Sequence, residues 1–203
     1  MHFDLFFITD IVGIAAFTIS GFLVGIRYKL DLLGLIIVAA LTALGGGILR
    51  DALLQRTPFA FSEYYPALTL IITLTTIFLF KLYTRKEIEQ KWLFVISDTI
   101  GLIAFSITGT MLGIAAGYNF FGVIILSFLT AIGGGVLRDT MINRIPRVLT
   151  HDFYGSIALI VALMLLGLNA MELMTSESIT VVGVMTIGLR LIAYKQHWHL
   201  PKL

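Results

Sequence analysis

Long apolar runs, separated by short polar segments, extend along the whole chain. A membrane-spanning helix needs about 20 mostly apolar residues, because the hydrocarbon core of a bilayer is about 30 Å thick. Seven runs meet this length and are predicted as spans 1 to 7, at residues 5–26, 31–54, 64–82, 92–114, 119–142, 151–169 and 177–194. The predicted fold class is an all-α integral membrane protein with seven transmembrane helices, forming a single transmembrane domain over residues 1–203.

The composition agrees with a membrane protein and excludes other classes. Hydrophobic residues make up 58% of the 203 residues and charged residues 13%, whereas soluble domains average about 25% charged residues. An ordinary soluble enzyme is therefore excluded. The formal net charge of +2 is too small to indicate nucleic-acid binding. Because the chain has no cysteine, it can form neither a disulfide nor a thiolate metal site.

The distribution of basic residues predicts the orientation in the membrane, because cytoplasmic loops carry an excess of Lys and Arg. One side of the membrane carries only Arg56, with Arg50 approaching that side from within span 2. The loops after spans 1, 3 and 5 share the other side with the C-terminus, and together they carry Arg27, Lys29, Lys81, Arg85, Lys86, Lys91, Arg144, Arg147, Lys195 and Lys202. The N-terminus is therefore predicted outside and the C-terminus in the cytoplasm.

The chain contains an internal duplication. A shift of 88 residues brings Asp10 onto Asp98 and aligns spans 1 to 3 with spans 4 to 6. The alignment gives about 25 identities in about 54 positions, far above chance for a membrane composition. The longest shared block has a triple glycine followed by Leu-Arg-Asp and then by Arg-x-Pro. Repeat 1 is placed at about 4–82 and repeat 2 at about 92–170, with the extra span 7 at about 177–194.

Three spans are an odd number, so the second repeat enters the membrane from the opposite side. The two repeats are then related by a pseudo-two-fold axis in the membrane plane. Transport proteins commonly use this inverted tandem repeat, with the permeation or binding site between the repeats near the midplane. The duplication thus favours transport. The alternative is a duplication that only enlarged a helix bundle.

The triple glycines lie in the middle of spans 2 and 5, at Gly45, Gly46 and Gly47 and at Gly133, Gly134 and Gly135. Each interior glycine costs about 1 kcal/mol of helix propensity relative to alanine, so both helices are expected to be broken at these points. Irregular backbone inside a membrane is tolerated only within protein or along a water-filled cavity, which indicates the pathway. Tight helix packing is the alternative. Thr42 and Thr130, one turn earlier, are candidate pore-lining hydroxyls, unless they bond to their own helices.

Ionisable side chains within the spans form the candidate charged pore region: Asp10, Arg50 and Asp51 in repeat 1 and Asp98, Arg138 and Asp139 in repeat 2. Depth along the spans predicts an ion pair between Asp10 and Arg50. The same relation in repeat 2 predicts a pair between Asp98 and Arg138. Adjacent helix positions differ by about 100°, so Asp51 and Asp139 are expected to face other neighbours. These groups either gate ion entry or fix helix positions as buried salt bridges.

Motifs of enzymes are absent from the sequence. It contains no HExxH, no GxSxG and no phosphate-binding loop, since the triple glycines are not followed by GK[ST]. His197 and His199 lack an evident third ligand, so no metal site is predicted. The protein is therefore predicted not to be an enzyme and to hold no cofactor.

The seven spans, the three-helix repeat and the doubled motif T-A-[LI]-G-G-G-[IV]-L-R-D with R-x-P behind it resemble prokaryotic members of the trimeric intracellular cation (TRIC) channel family. The resemblance covers essentially the whole chain. It implies a homotrimer among membrane lipids in a prokaryotic inner membrane, with one pore per subunit between the repeats. It also implies passive flow of monovalent cations, chiefly potassium, past helices kinked at the triple glycines, with the two Arg-Asp pairs in the pore region.

The same pattern also resembles bacterial membrane proteins assigned as glycine transporters. A secondary transporter of a small solute such as glycine is therefore the alternative, because the inverted repeat suits channels and carriers equally. A third possibility is a membrane scaffold, against which the buried charges and the glycines argue. The cation channel also has a physical requirement: Arg50 and Arg138 would repel cations unless aspartates pair with them.

Overall fold

A computed structural model gives the fold of residues 3–84, 86–150, 153–196 and 198. These residues form nine α-helices and one 3-10 helix, Leu82–Thr84, and contain no β-strand. Helices α1 to α9 cover Phe3–Arg27, Leu32–Leu53, Phe59–Ser62, Tyr65–Leu79, Glu87–Ala115, Phe120–Met141, Arg147–Thr150, Gly155–Ala170 and Ser176–Lys195. The predicted all-α membrane fold is confirmed.

Seven of these helices, all except the single-turn α3 and α7, coincide with the seven predicted spans to within a few residues. Five are long and apolar enough to cross a membrane: α1, α2, α5, α6 and α9. Helices α4 and α8 are apolar but have only 15 and 16 residues. At 1.5 Å per residue they extend about 22 to 24 Å, less than the thickness of the hydrocarbon core. Complete crossings by these two helices stay a prediction.

The two repeats begin their second helices in the same way. Asp31 caps α2, because its carboxylate accepts a 2.7 Å hydrogen bond from the backbone N–H of Gly34. Asn119, its equivalent after the shift of 88 residues, caps α6 through a 2.8 Å bond from Gly122 N–H. Both side chains are strong N-caps, so the change from carboxylate to amide preserves the turn.

The helices of the two repeats pack against their own counterparts. Helix α1 lies along α5 and α2 lies along α6, while α9 packs on α5 and α8. At the centre, the rings of Phe17 and Phe105 meet edge to face at 5.4 Å. Gly13 lies against the ring of Phe105, and Gly101 lies against the ring of Phe17. Such reciprocal contacts between equivalent residues are those expected around an approximate two-fold axis.

Helices α2 and α6 remain α-helical through their triple glycines, so the predicted breaks are not observed. The glycines instead bring the two helices into backbone contact. A Cβ on Gly46 would clash with the carbonyl oxygen of Thr130, and one on Gly134 would clash with that of Thr42. Missing side chains allow this approach, and the packing gained compensates for the poor helix propensity. The alternative of tight packing therefore describes these glycines.

Candidate functional site

Two clusters of buried charges lie in the helix bundle, one in each repeat. In repeat 1, Arg50 Nη1 is 3.0 Å from Asp10 Oδ1, which joins α2 to α1. In repeat 2, Arg138 Nη1 is 2.7 Å from Asp98 Oδ1, which joins α6 to α5. Both predicted ion pairs are confirmed. We define the Asp10 cluster as Asp10, Arg50 and Asp51, and the Asp98 cluster as Asp98, Arg138 and Asp139.

Asp51 and Asp139 face other neighbours as predicted, since Asp51 bonds to Arg56 and to Phe59 N–H and Asp139 bonds to Arg147 N–H. The prediction missed that each also bonds to the adjacent arginine. Arg50 Nε lies 2.8 Å from Asp51 Oδ1, and Arg138 Nε lies 2.8 Å from Asp139 Oδ1. The prediction considered only the directions of the Cα–Cβ bonds. A guanidinium on its long stem presents five donors, so its Nε can bond to the adjacent side chain while a terminal nitrogen reaches another helix. Each arginine thus bridges two carboxylates.

The second carboxylate oxygens of these aspartates hold the loops that follow. Asp51 Oδ2 accepts a 2.8 Å bond from the backbone N–H of Phe59, the first residue of α3. Asp139 Oδ2 accepts a 2.9 Å bond from the N–H of Arg147, the first residue of α7. This role was missed by the sequence reasoning. The signal was present in the equal spacing of eight residues between aspartate and donor in both repeats.

Each repeat also supplies a hydroxyl to the other repeat's arginine. Thr108 Oγ1 accepts a 3.2 Å bond from Arg50 Nη1. Ser20 Oγ accepts a 2.8 Å bond from Arg138 Nη1 and donates a 3.0 Å bond to Asp98. Ser20 and Thr108 are 88 residues apart and therefore equivalent. Because Asp10 and Ser20 are both on α1, the two clusters lie about 15 Å apart along that helix, at opposite ends of the interface between the repeats.

A tyrosine at the start of the third helix of each repeat distinguishes the two clusters. Tyr65 OH donates a 2.7 Å bond to Asp10 Oδ2. Tyr154 stands before α8 as Tyr65 stands at the start of α4, yet its hydroxyl and Asp98 Oδ2 are both buried without a hydrogen-bond partner among the described residues. Neither tyrosine was predicted, because a one-residue insertion removes them from the alignment at 88 residues.

Arg190 of α9 adds a third guanidinium at the Asp98 cluster and was also missed, because α9 lies outside the duplication. Its Nη1 donates a 2.7 Å bond to the carbonyl oxygen of Phe153. Its Cζ lies 4.6 Å from the centre of the Tyr154 ring, which is a cation–π contact. Only 7% of the residue is exposed.

Thr42 and Thr130 use their hydroxyl protons within their own helices. Thr42 donates to the carbonyl of Val38 and Thr130 to that of Leu126, each at 2.6 Å. The hydroxyls thus satisfy the local backbone. Their place along a pathway stays a prediction.

A cavity of about 1240 Å³ opens beside the Asp98 cluster, between the ends of α1, α5, α6 and α9. Phe94 and Asp139 lie in its wall, so it leads to that cluster. Its charged lining consists of two acidic residues, Glu87 and Asp139, and five basic residues, Arg27, Lys29, Lys91, Arg144 and Arg147. We call it the basic vestibule. A cavity of this size holds many water molecules, so it can serve as a hydrated entrance.

No group of acidic or histidine side chains among the described residues is arranged to hold a metal ion. His197 and His199, for which the sequence predicted no metal site, lie outside the described residues.

The chain is similar to known membrane proteins over almost its whole length. A family model described as "Glycine transporter" matches residues 7–81 and 95–170. The UPF0126 membrane protein YvgT of Bacillus subtilis (strain 168) is 33% identical over 193 residues, covering 95% of this chain and 93% of that protein. A prokaryotic TRIC channel crystallised in 0.5 M KCl superimposes with a TM-score of 0.86 at 31% identity, covering 98% and 100% of the two chains. The TRIC trimeric intracellular cation channel orthologue from Rhodobacter sphaeroides gives 0.84 at 25% identity, covering 95% and 98%.

Proposed function

The chain belongs to the membrane-protein family described as glycine transporters and is related over almost its whole length to prokaryotic TRIC channels, and from this premise we propose that it forms a cation channel. The observation that carries the proposal is the pair of buried Asp–Arg clusters at opposite ends of the interface between the repeats. Buried ionisable residues are costly in a membrane and commonly mark ion pathways.

The ion pairs also remove the physical objection to a cation pathway that contains two arginines. Arg50 contacts two carboxylates, and Arg56 pairs with one of them, Asp51, at 2.6 Å, so every guanidinium at this end is matched by a carboxylate. Arg138 likewise contacts two carboxylates. A guanidinium held between two carboxylates does not present a net positive charge to a passing ion. The clusters therefore support cation flow and disfavour anion flow.

We further propose that the permeant ions are monovalent, chiefly potassium, and that flow is passive. The sequence contains no carbonyl filter of the TVGYG type, so a partly hydrated pathway with modest selectivity is expected. The proposed route runs between the repeats, from the basic vestibule past the Asp98 cluster to the Asp10 cluster.

The proposed assembly is a homotrimer with one pore in each subunit, embedded among the lipids of a prokaryotic inner membrane. The solved relative from Rhodobacter sphaeroides is described as trimeric. Leu68, Ile71 and Ile72 of α4 expose 55%, 58% and 63% of their surfaces and suit contact with lipid or with a neighbouring subunit. The basic loops support a cytoplasmic C-terminus and an outside N-terminus.

Planar-bilayer recording of the purified protein under a KCl gradient tests the channel directly. Unitary currents that reverse near the potassium equilibrium potential are expected. Asp10→Asn is expected to lower the unitary conductance several-fold, since it removes a carboxylate charge from the pathway. The matched control is Glu63→Gln, which neutralises an exposed carboxylate outside the cluster. Unchanged conductance in a folded Asp10→Asn protein would assign the cluster a purely structural role.

The description of the family favours one second candidate, a secondary transporter of glycine. The inverted repeat and the close contact of α2 with α6 suit a carrier as well as a channel. Uptake of labelled glycine into proteoliposomes separates the two. Saturable, ion-coupled glycine uptake without unitary currents would replace the channel by the carrier.

A further inference from the structure

Two arginines that have no counterpart in repeat 1 add positive charge at one end of the interface between the repeats. Residue 147 is arginine where the equivalent residue of repeat 1 is Phe59. Arg190 comes from α9, which lies outside the duplication. Two other arginine pairs occur in both repeats, as Arg50 with Arg138 and as Arg56 with Arg144, whereas Arg27 at the rim of the basic vestibule is matched by Ala115. Arg147 and Arg190 therefore add positive charge next to the Asp98 cluster, beyond the basic side chains at the rim of the vestibule.

Arg147 is half-buried in the wall of the basic vestibule, with its Cζ 4.3 Å from the centre of the Phe94 ring. The bond that holds the following loop to Asp139 uses the backbone N–H of residue 147 and not its guanidinium. The equivalent bond in repeat 1 is made by the N–H of Phe59. The charge of Arg147 is thus separable from its structural role.

Arg190 is buried beside the Asp98 cluster, and no carboxylate of a described residue forms an ion pair with it. It bonds to a backbone carbonyl and stacks on Tyr154, both of which are neutral groups. The positive charge of Arg190 is therefore not cancelled by a direct partner, unlike that of Arg138, which lies between Asp98 and Asp139.

We propose that Arg147 and Arg190 make the cation current rectify, so that cations pass more readily from the Asp10 end to the Asp98 end than in reverse. This inference rests on the proposed cation channel. Fixed positive charge at a mouth lowers the local cation concentration there, and at limiting salt the rate of entry follows that concentration. Cations that enter through the basic vestibule meet these charges first. Cations that enter from the other end meet the Asp10 cluster, where Arg50 and Arg56 are both paired with carboxylates.

The effect must depend on ionic strength. Screening acts over about 10 Å at 0.1 M salt and about 3 Å at 1 M. We define the current ratio as the cation current towards the Asp98 end divided by the current in the reverse direction at equal and opposite voltages. In symmetric 0.1 M KCl, this ratio is expected to be about two. In 1 M KCl the ratio is expected to fall to about one, because the vestibule charges are then screened.

Single-channel recording of four variants tests the inference. Arg147→Gln and Arg190→Gln remove the charges, and Arg147→Phe installs the residue of repeat 1; each is expected to move the current ratio towards one. Arg147→Gln keeps the backbone bond to Asp139 and is therefore expected to fold. It tests the inference even if the buried Arg190→Gln variant does not fold. Arg56→Gln removes the positive charge that pairs with Asp51 at the Asp10 end and is expected to raise the ratio.

The chain has no cysteine, so one introduced thiol can be labelled selectively. Labelling from one chamber shows which end of the channel faces that chamber and so assigns the direction of the current. Asn143→Cys places one thiol in the basic vestibule. A membrane-impermeant, negatively charged thiol reagent then identifies the Asp98 end by the chamber from which it acts, and its added charge is expected to lower the ratio. Cation currents of equal size in both directions at 0.1 M KCl, or a ratio unchanged in Arg147→Gln, would overturn this inference alone. The absence of any cation current from the wild-type protein would overturn the proposed function as well.

Discussion

Gly46 lies directly against the backbone carbonyl of Thr130, and the contact is repeated in reverse between Gly134 and Thr42. Each member of these pairs is 88 residues from its counterpart in the other pair. Helices α2 and α6 therefore touch through their main chains at the centre of the interface between the repeats. Main-chain atoms of packed helices cannot move aside as a flexible side chain can. The fold thus depends on these positions having no Cβ.

Gly46→Ala is expected to lower the free energy of unfolding by about 1 to 3 kcal/mol, because the added Cβ overpacks against a fixed carbonyl. Thermal unfolding in detergent measures the change. Gly188→Ala is the matched control, since nothing lies within 4 Å of a Cβ at that helical position. It is expected to be neutral or to stabilise the protein by up to about 1 kcal/mol through helix propensity. Equal melting temperatures for the two variants would contradict the backbone contact.

Arg50→Gln leaves Asp10 buried without a cation, while Asp51 keeps its ion pair with Arg56. The expected cost is about 3 to 5 kcal/mol, the range for breaking a buried ion pair. The double variant Asp10→Asn/Arg50→Gln is expected to lose less than the sum of the single variants, since neither charge remains unpaired. Chemical denaturation of the four proteins gives the coupling energy. Strict additivity would show that the two side chains do not interact.

Tyr65→Phe removes a hydrogen bond to a buried carboxylate and is expected to cost about 1.5 to 3 kcal/mol. Its neighbour Tyr64 is 86% exposed, and Tyr64→Phe is expected to change stability by less than about 0.5 kcal/mol. Tyr154→Phe is expected to be neutral or stabilising, because the Tyr154 hydroxyl is buried without a partner among the described residues. A larger loss for Tyr154→Phe than for Tyr65→Phe would contradict the difference between the clusters. Thermal unfolding of the three variants measures it.

Asp139→Ala removes the acceptor of the Arg147 N–H at the start of α7. Loss of a charge-assisted bond worth about 1.5 kcal/mol is expected to accelerate amide exchange in residues 147–150 about tenfold. Hydrogen exchange followed by mass spectrometry measures the rates. Residues 59–62 provide the internal control, because Asp51 holds them independently. Equal acceleration of both segments would indicate global destabilisation instead of loss of this bond.

Much of the fold was predictable, because the duplication converts sequence spacing into relative position. Equivalent residues in inverted repeats must lie at mirrored depths, and this relation correctly paired Asp10 with Arg50 and Asp98 with Arg138. Helix periodicity alone was not sufficient for Asp51, because the reach of the arginine side chain, and not its starting direction, decides the contact. A guanidinium can satisfy an adjacent carboxylate and a distant one together.

Other features could not be predicted, because they depend on which element lies beside which. Helix propensity predicts that three glycines interrupt a helix, but it contains no information on the partner helix that stabilises α2 and α6 as continuous helices. Arg190 lies in a helix without a repeat, so no equivalent position indicated its place next to Tyr154. The sequence defined the depth of each residue well and its lateral neighbours poorly.

The exchange of hydroxyls between Ser20 and Arg138 and between Thr108 and Arg50 has a consequence for ancestry. Each repeat supplies its serine or threonine hydroxyl to the arginine of the other repeat at the equivalent position. The surface through which the repeats meet is therefore self-complementary. A single three-helix unit inserted in both orientations would make the same two contacts as an isologous dimer. Gene fusion then needed no new interface, and one copy became free to change. Arg147, and a tyrosine–aspartate bond present in the first half only, now distinguish the two halves.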